Sequence, residues 1–220
     1  MVLVFDLDDT LYDERTYVES GFRAVAAFGA AEFGWDAEAS FKSLVTILNN
    51  DGRGKVFDVW LAEHGRNSKY LVNRCLLEYR RHFPSIAMFP SATKLLEAVG
   101  AYPKYVVTDG NKLVQGRKVD ALKISPLFLH VYVTHRYGIR NAKPSIFCFD
   151  LIRKREKCAW EDMVYIGDNP EKDFVGLNRT GAKTIRVLTG AHRNSVATQD
   201  YDAQITIPSL DSLLGVLQEI

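Results

Sequence analysis

Cysteine is scarce in this chain: Cys75, Cys148 and Cys158 are the only three in 220 residues, far apart and with no Cys-x-x-Cys pair. That argues against a disulfide framework and against a zinc site built on paired cysteines, and it fits a reducing compartment. Long apolar runs are missing too. No stretch approaches the roughly 20 apolar residues of a membrane-spanning helix. The opening Met1-Val2-Leu3-Val4-Phe5 meets acidic residues at once, with neither the basic start nor the apolar length of a secretion signal. The expected location is therefore the cytoplasm, with no membrane partner. Charge of one sign is also lacking. The 28 Lys and Arg nearly cancel the 27 Asp and Glu, so no global field draws the chain to nucleic acid. His64, His82, His130, His135 and His192 show no metal-ligand spacing with one another or with cysteine.

What is present is ordinary globular material, 47% apolar and 25% charged, enough for a core throughout. Short β-branched and aromatic runs at Val2–Phe5, Tyr105–Val107, Val131–Val133, Met163–Ile166 and Thr184–Leu188 read as buried strands. Helix-length segments at Asn111–Leu122, Ser145–Lys157 and Glu171–Thr180 alternate with them. This is the pattern of a doubly wound parallel α/β sheet. An edge strand near Gln204–Ile207 and a closing helix over Leu210–Ile220 complete it.

Residues 13–85 break the alternation. Apolar residues recur there at helical spacing in four pieces: Val18/Phe22/Val25, Phe41/Leu44/Val45/Leu48, Phe57/Trp60/Leu61 and Val72/Cys75/Leu76/Tyr79/Phe83. Turn signals at Gly34, Asn50-Asp51-Gly52 and Gly65 separate them, and Pro84 and Pro90 bracket the return to the sheet. The expected organisation is a Rossmann-like core over 1–12 and 86–220 with a helical insertion over 13–85.

Asp6 and Asp8 follow the first strand and Asp168 follows Met163–Gly167. Ligands of an open parallel sheet sit outside the carboxyl ends of its strands, so these carboxylates can converge. Like charges so close raise one another's pKa unless a cation neutralises them. An all-oxygen cluster suits Mg²⁺.

Phe5-Asp6-Leu7-Asp8-Asp9-Thr10-Leu11 resembles the first motif of the haloacid dehalogenase superfamily, a hydrophobic strand followed by DxDxT. Thr108-Asp109-Gly110 is similar to its second motif, Lys143-Pro144 to its third, and Gly167-Asp168 through Asp173 to its fourth, GDxxxxD. The helical insertion resembles the superfamily's cap, placed between motifs one and two. The likeness covers essentially the whole chain.

The resemblance implies a Mg²⁺-dependent phosphatase acting on a small phosphorylated metabolite through an aspartyl-phosphate. Asp6 is then the nucleophile, ionised near neutral pH if its pKa stays near about 3.9. Asp8 is the general acid and base, a role that asks for a raised pKa. Asp6, Asp168 and the Asp8 carbonyl hold the metal, while Thr108, Lys143 and the backbone N–H groups of Asp109 and Gly110 hold phosphate. Asp173 is a supporting residue behind the metal. Many relatives carry Asn where this chain has Asp109, so its side chain is expected to turn away from phosphate. A phosphomutase of the same superfamily and a catalytically silent binding protein on the same fold are the alternatives. Substrate identity and oligomeric state are not legible.

Overall fold

The computed structural model describes all residues, 1–220, and divides into two compact units, Met1–Glu14 with Ala87–Ile220, and Arg15–Ile86. The first is built on one sheet of six strands: β1 (Val2–Phe5), β2 (Lys104–Thr108), β3 (His130–Val133), β4 (Met163–Gly167), β5 (Lys183–Val187) and β6 (Ile205–Ile207). All pairings are parallel, in the spatial order β3-β2-β1-β4-β5-β6. Every residue of β1, β2 and β4 is buried, which is why Val2–Phe5, Tyr105–Val107 and Met163–Ile166 read as unbroken apolar runs rather than as alternating ones. On one face Val2, Val4, Tyr105, Val107, Met163 and Tyr165 pack with Phe149, Ile152 and Phe174. On the other, Phe5 meets Phe128 edge to face at 6.0 Å. The fold is a doubly wound, Rossmann-like α/β sheet, and its strand order reverses at β1, between β2 and β4.

The helices of this unit are α5 (Pro90–Ala98), α6 (Lys112–Leu122), α7 (Phe147–Glu156) and α8 (Leu213–Glu219). Pro90 does more than mark a turn: it opens α5, where its missing N–H costs nothing. The closing helix is shorter than expected, a 3₁₀ turn at Leu210–Ser212 followed by α8.

One expectation is overturned. Glu171–Thr180 is not an α-helix; it is a series of turns ending in a 3₁₀ turn at Leu177–Arg179. Asn169 does bend the chain as a cap would, since its side chain accepts the Glu171 N–H at 2.9 Å and its carbonyl the Asp173 N–H at 3.0 Å. The Asp173 carboxylate then turns back to accept the Asn169 N–H at 3.0 Å and to meet Lys143. These tertiary bonds outweigh the helical preference of so short a segment.

The second unit holds most of α1 (Glu14–Phe33) together with α2 (Ala37–Asp51), α3 (Val56–Glu63) and α4 (Lys69–Arg81). Asp36 caps α2 by accepting the Ala39 N–H at 2.6 Å, and Gly52 ends it at φ 75°, a conformation that side-chain-bearing residues avoid. Val18, Phe22 and Val25 of α1 are buried in this unit with Leu44, Phe57, Trp60 and Cys75. Close approach depends on Gly21, because a Cβ there would stand 2.4 Å from the Tyr79 ring. No helix of the chain is long and apolar enough to cross a membrane.

Candidate active site

Asp6 extends β1, its N–H reaching the Ile166 carbonyl of β4 at 2.8 Å, so its side chain emerges at the carboxyl edge where the strand order reverses. Asp168 leaves the neighbouring strand one residue beyond β4. Carboxylate oxygens of Asp6, Asp168 and Asp173 all lie within 4.8 Å of one another, and all three residues are buried. Lys143 is the cation among them. Its Nζ lies 2.7 Å from Asp6 and 2.7 Å from Asp173, and it donates to the Tyr165 hydroxyl at 2.9 Å. Tyr165 in turn donates to Asp173 at 3.1 Å. Lys143 enters this cluster from the loop ahead of α7, across a cis peptide to Pro144.

Burial pushes the Asp6 carboxyl up to about 7 against the pull of Lys143. Burial, then the charges of Asp173 and Asp6, push Asp168 to about 9. Asp173 is held below the ordinary range, because Lys143, Lys172 and its hydrogen bonds overcome its burial. Lys143 is held charged well above its ordinary value, Asp173 and Asp6 outweighing desolvation. The expectation that Asp6 is ionised on the strength of an ordinary aspartate pKa is therefore corrected. Its ionisation depends on nearby positive charge.

The donor set fits a hard divalent cation. It is all oxygen, and it carries more carboxylates than one lysine neutralises. Asp173 has little left to offer a metal, since its oxygens already take Lys143, Tyr165 and the Asn169 N–H. Asp6 and Asp168 are the carboxylates that remain.

Asp8, two residues after Asp6, has a different set of partners. Oδ1 accepts the Tyr12 hydroxyl at 2.5 Å and Lys118 Nζ at 2.6 Å, while Oδ2 accepts Gln115 Nε2 at 2.9 Å. Burial raises its pKa, but the Lys118 charge and the hydrogen bonds from Lys118, Tyr12 and Gln115 prevail and hold it below the ordinary value. The expected raised pKa is therefore not found here, for the plain reason that a buried ammonium sits on the carboxylate.

Thr108 ends β2 and accepts Gln115 Nε2 at 2.6 Å. Gly110 adopts φ 133°, and a Cβ there would come within 3.3 Å of the Gln115 side chain. Asp109 turns its carboxylate to the Lys143 loop. Oδ1 accepts the Thr134 hydroxyl at 2.7 Å and the Lys143 N–H at 3.1 Å, and Oδ2 lies 3.6 Å from Lys172 Nζ. Asn111 caps α6, taking the Leu113 and Val114 N–H groups at 2.9 and 3.4 Å. The donors open to an anion are therefore sought ahead of the helix, not in its first turn.

Sequence reasoning missed Tyr12, Gln115, Lys118, Lys172 and Tyr165. A signal existed for two of them: Gln115, Lys118, Val119 and Leu122 form the buried stripe of α6, so an amide and an ammonium occupy core positions.

A doubly wound sheet with a buried lysine among three aspartates at its carboxyl edge defines a class of hydrolase, and the chain belongs to it. The haloacid dehalogenase-like hydrolase family matches residues 3–187. Among individual relatives, the glyceraldehyde 3-phosphate phosphatase of Methanocaldococcus jannaschii is 30% identical over 227 residues, covering 99% of this chain and 97% of that protein. The glyceraldehyde 3-phosphate phosphatase of Methanopyrus kandleri is 27% identical, with 99% and 97% covered. Among solved structures, the HAD-hydrolase YfnB from Bacillus subtilis, bound to magnesium, superposes with a TM-score of 0.71 at 18% identity, covering 98% of this chain and 97% of that one. A 2-haloacid dehalogenase from Pseudomonas syringae gives 0.67 at 22% identity, covering 100% and 99%.

Proposed function

We propose that this protein is a Mg²⁺-dependent phosphatase that removes phosphate from a small phosphorylated metabolite, a short sugar phosphate of the glyceraldehyde 3-phosphate type being the leading candidate. The observation that carries the reading is Lys143 Nζ at 2.7 Å from Asp6 inside a buried all-oxygen cluster. A buried scaffold gains nothing from three carboxylates around one lysine, whereas phosphoryl transfer needs a nucleophile beside concentrated positive charge. The curated names of the relatives support the substrate class.

In this reading Asp6 attacks phosphorus and forms the aspartyl-phosphate, which splits one displacement into two. Asp6, Asp168 and the Asp8 carbonyl hold Mg²⁺, which supplies positive charge to the transferring phosphoryl oxygens and keeps Asp6 ionised. Lys143 and the Thr108 hydroxyl hold the remaining phosphate oxygens, with the Asp109 and Gly110 N–H groups beside them. Asp8, ionised in the unliganded protein beside Lys118, takes up a proton as the negative charge of the phosphate arrives next to it, gives that proton to the departing oxygen and later takes one from water. Asp173 and Tyr165 aim Lys143 at Asp6. The helical unit Arg15–Ile86 takes the part of the cap that selects the leaving group.

The test is phosphate release from p-nitrophenyl phosphate and from a panel of sugar phosphates, nucleotides and phosphoglycolate, with Mg²⁺ and with EDTA. Metal-dependent release in the parent and its loss in Asp6→Asn and Asp8→Asn are expected. Activity that survives in Asp6→Asn defeats the mechanism, and a parent inactive on the whole panel defeats the function.

A further inference from the structure

Lys118 and Gln115 are nearly inaccessible, with 3% and 1% of their surfaces exposed, and Tyr12 is fully buried. Burying an ammonium and an amide costs free energy that an aliphatic residue in the same α6 stripe avoids. All three give a donor to one carboxyl group. An ionised aspartate offers about four lone-pair positions, two on each oxygen. On Asp8, Oδ1 is filled by Tyr12 and Lys118, and Oδ2 takes Gln115 alone. One position on Oδ2 is left, and the Asp8 side chain keeps 22% of its surface exposed.

Gln115 has a second partner. The same Nε2 donates to Thr108 Oγ1 at 2.6 Å, and turning the amide over would point its oxygen at a carboxylate. With its oxygen accepting from Gln115, Thr108 keeps its own hydroxyl hydrogen to donate elsewhere. Gly110 makes room for this arrangement by leaving no Cβ against the Gln115 side chain.

We propose that Gln115, Lys118 and Tyr12 are positioning residues for the phosphoryl transfer: together they hold Asp8 so that Oδ2 alone exchanges protons, and Gln115 also commits the Thr108 hydroxyl to donating to phosphate. The inference rests on the phosphatase reading above. In the first transfer the Asp6 oxygen bonds to phosphorus, the bond from phosphorus to the leaving oxygen breaks, and the proton on Asp8 Oδ2 passes to that oxygen. In the second, water attacks phosphorus and gives a proton to Oδ2, the bond to Asp6 breaks, and inorganic phosphate departs. Lys118 also lies 3.6 Å from a second carboxylate, that of Glu14.

The experiment compares two esters through kcat/KM, which reports the first transfer only. An alkyl phosphate needs its leaving oxygen protonated, whereas p-nitrophenyl phosphate releases a stable anion unaided. In Lys118→Met, kcat/KM for the alkyl ester is expected to fall about 100-fold and for p-nitrophenyl phosphate less than about 5-fold. Tyr12→Phe, which removes one hydroxyl, should show the same asymmetry on a smaller scale, and Lys118→Arg should recover part of the alkyl activity. Gln115→Ala should in addition weaken inhibition by inorganic phosphate about 10-fold, as expected for one charge-assisted hydrogen bond. Thermal unfolding identifies any variant that fails to fold, in which case Tyr12→Phe and Lys118→Arg carry the comparison. Equal losses on the two esters, or unchanged phosphate inhibition in Gln115→Ala, overturn this inference while the function stands. A parent without phosphatase activity on either ester and on the whole metabolite panel overturns both.

Discussion

Lys143 touches two aspartates at 2.7 Å each and a tyrosine hydroxyl at 2.9 Å, with its side chain wholly buried. Without that ammonium the three carboxylates would face one another with no fixed cation. Lys143→Met is therefore expected to lose about 3–5 kcal/mol of stability in urea unfolding in the presence of EDTA, the usual consequence of breaking a buried pair from one side. Its phosphatase activity should vanish. A variant as stable as the parent contradicts the cluster described here. At the molecule's edge, His130 of β3 has its pKa lowered by burial and then by Arg155 and Arg136. Its folded pKa lies below the unfolded one, so the unfolded chain takes up the proton first as pH falls. Stability from this residue is thus full above about pH 6.5 and is lost as the pH drops through its folded value. Because solvent screens this largely exposed ring, the melting temperature of the parent relative to His130→Gln should fall only slightly, by no more than about 1 °C, between pH 7 and pH 5. A pH-independent difference counts against it.

Two glycines separate the elements that tolerate a methyl group from the one that does not. Gly176 follows the Asp173 turn, and a Cβ there would stand 2.0 Å from the Pro144 carbonyl, on the segment that presents Lys143. Gly116 lies inside α6, where a Cβ would meet nothing nearer than an Arg136 nitrogen at 3.9 Å. Gly176→Ala should cost about 2 kcal/mol through overpacking and lower kcat, because the Lys143 loop must move. Gly116→Ala should stabilise α6 by up to about 1 kcal/mol, since alanine is the better helix former. Urea midpoints and p-nitrophenyl phosphate turnover on the pair check both. At this scale the sequence was most readable where the chain is regular. The four helices of the second unit and the strands before Asp6 and Asp168 lie where the periodicity put them, except that Phe83, read as the end of the fourth apolar stripe, falls beyond α4 and is exposed. The Glu171–Thr180 segment misled because its capping signal is real, yet its helix yields to a buried Asp173.

Across the whole molecule, Asp6, Asp168 and the Asp8 carbonyl all belong to the unit Met1–Glu14 with Ala87–Ile220. A cation bound there binds the folded chain and not the unfolded one, so it stabilises by mass action. At a hundredfold excess over its dissociation constant the gain is about 2.7 kcal/mol, or a rise of roughly 5–10 °C in melting temperature for a chain of this size. Differential scanning fluorimetry with Mg²⁺ and with EDTA reads it. Asp168→Asn should lose the shift, and a parent that melts alike in both buffers shows that the cluster binds no magnesium.

The order of strands and helices, the acidic residues after β1 and β4, and the likeness to haloacid dehalogenase-like hydrolases are properties of the linear sequence. They are carried by local periodicity and by motifs of a few adjacent residues. What only the tertiary structure decided is which charges meet. Lys143 and Asp6 are 137 residues apart, and Lys118 and Asp8 are 110 apart. The depressed pKa of Asp8 and the raised pKa of Asp6 follow from those meetings and from burial, because a carboxyl group responds to the charges and water within a few ångströms, whatever their separation along the chain.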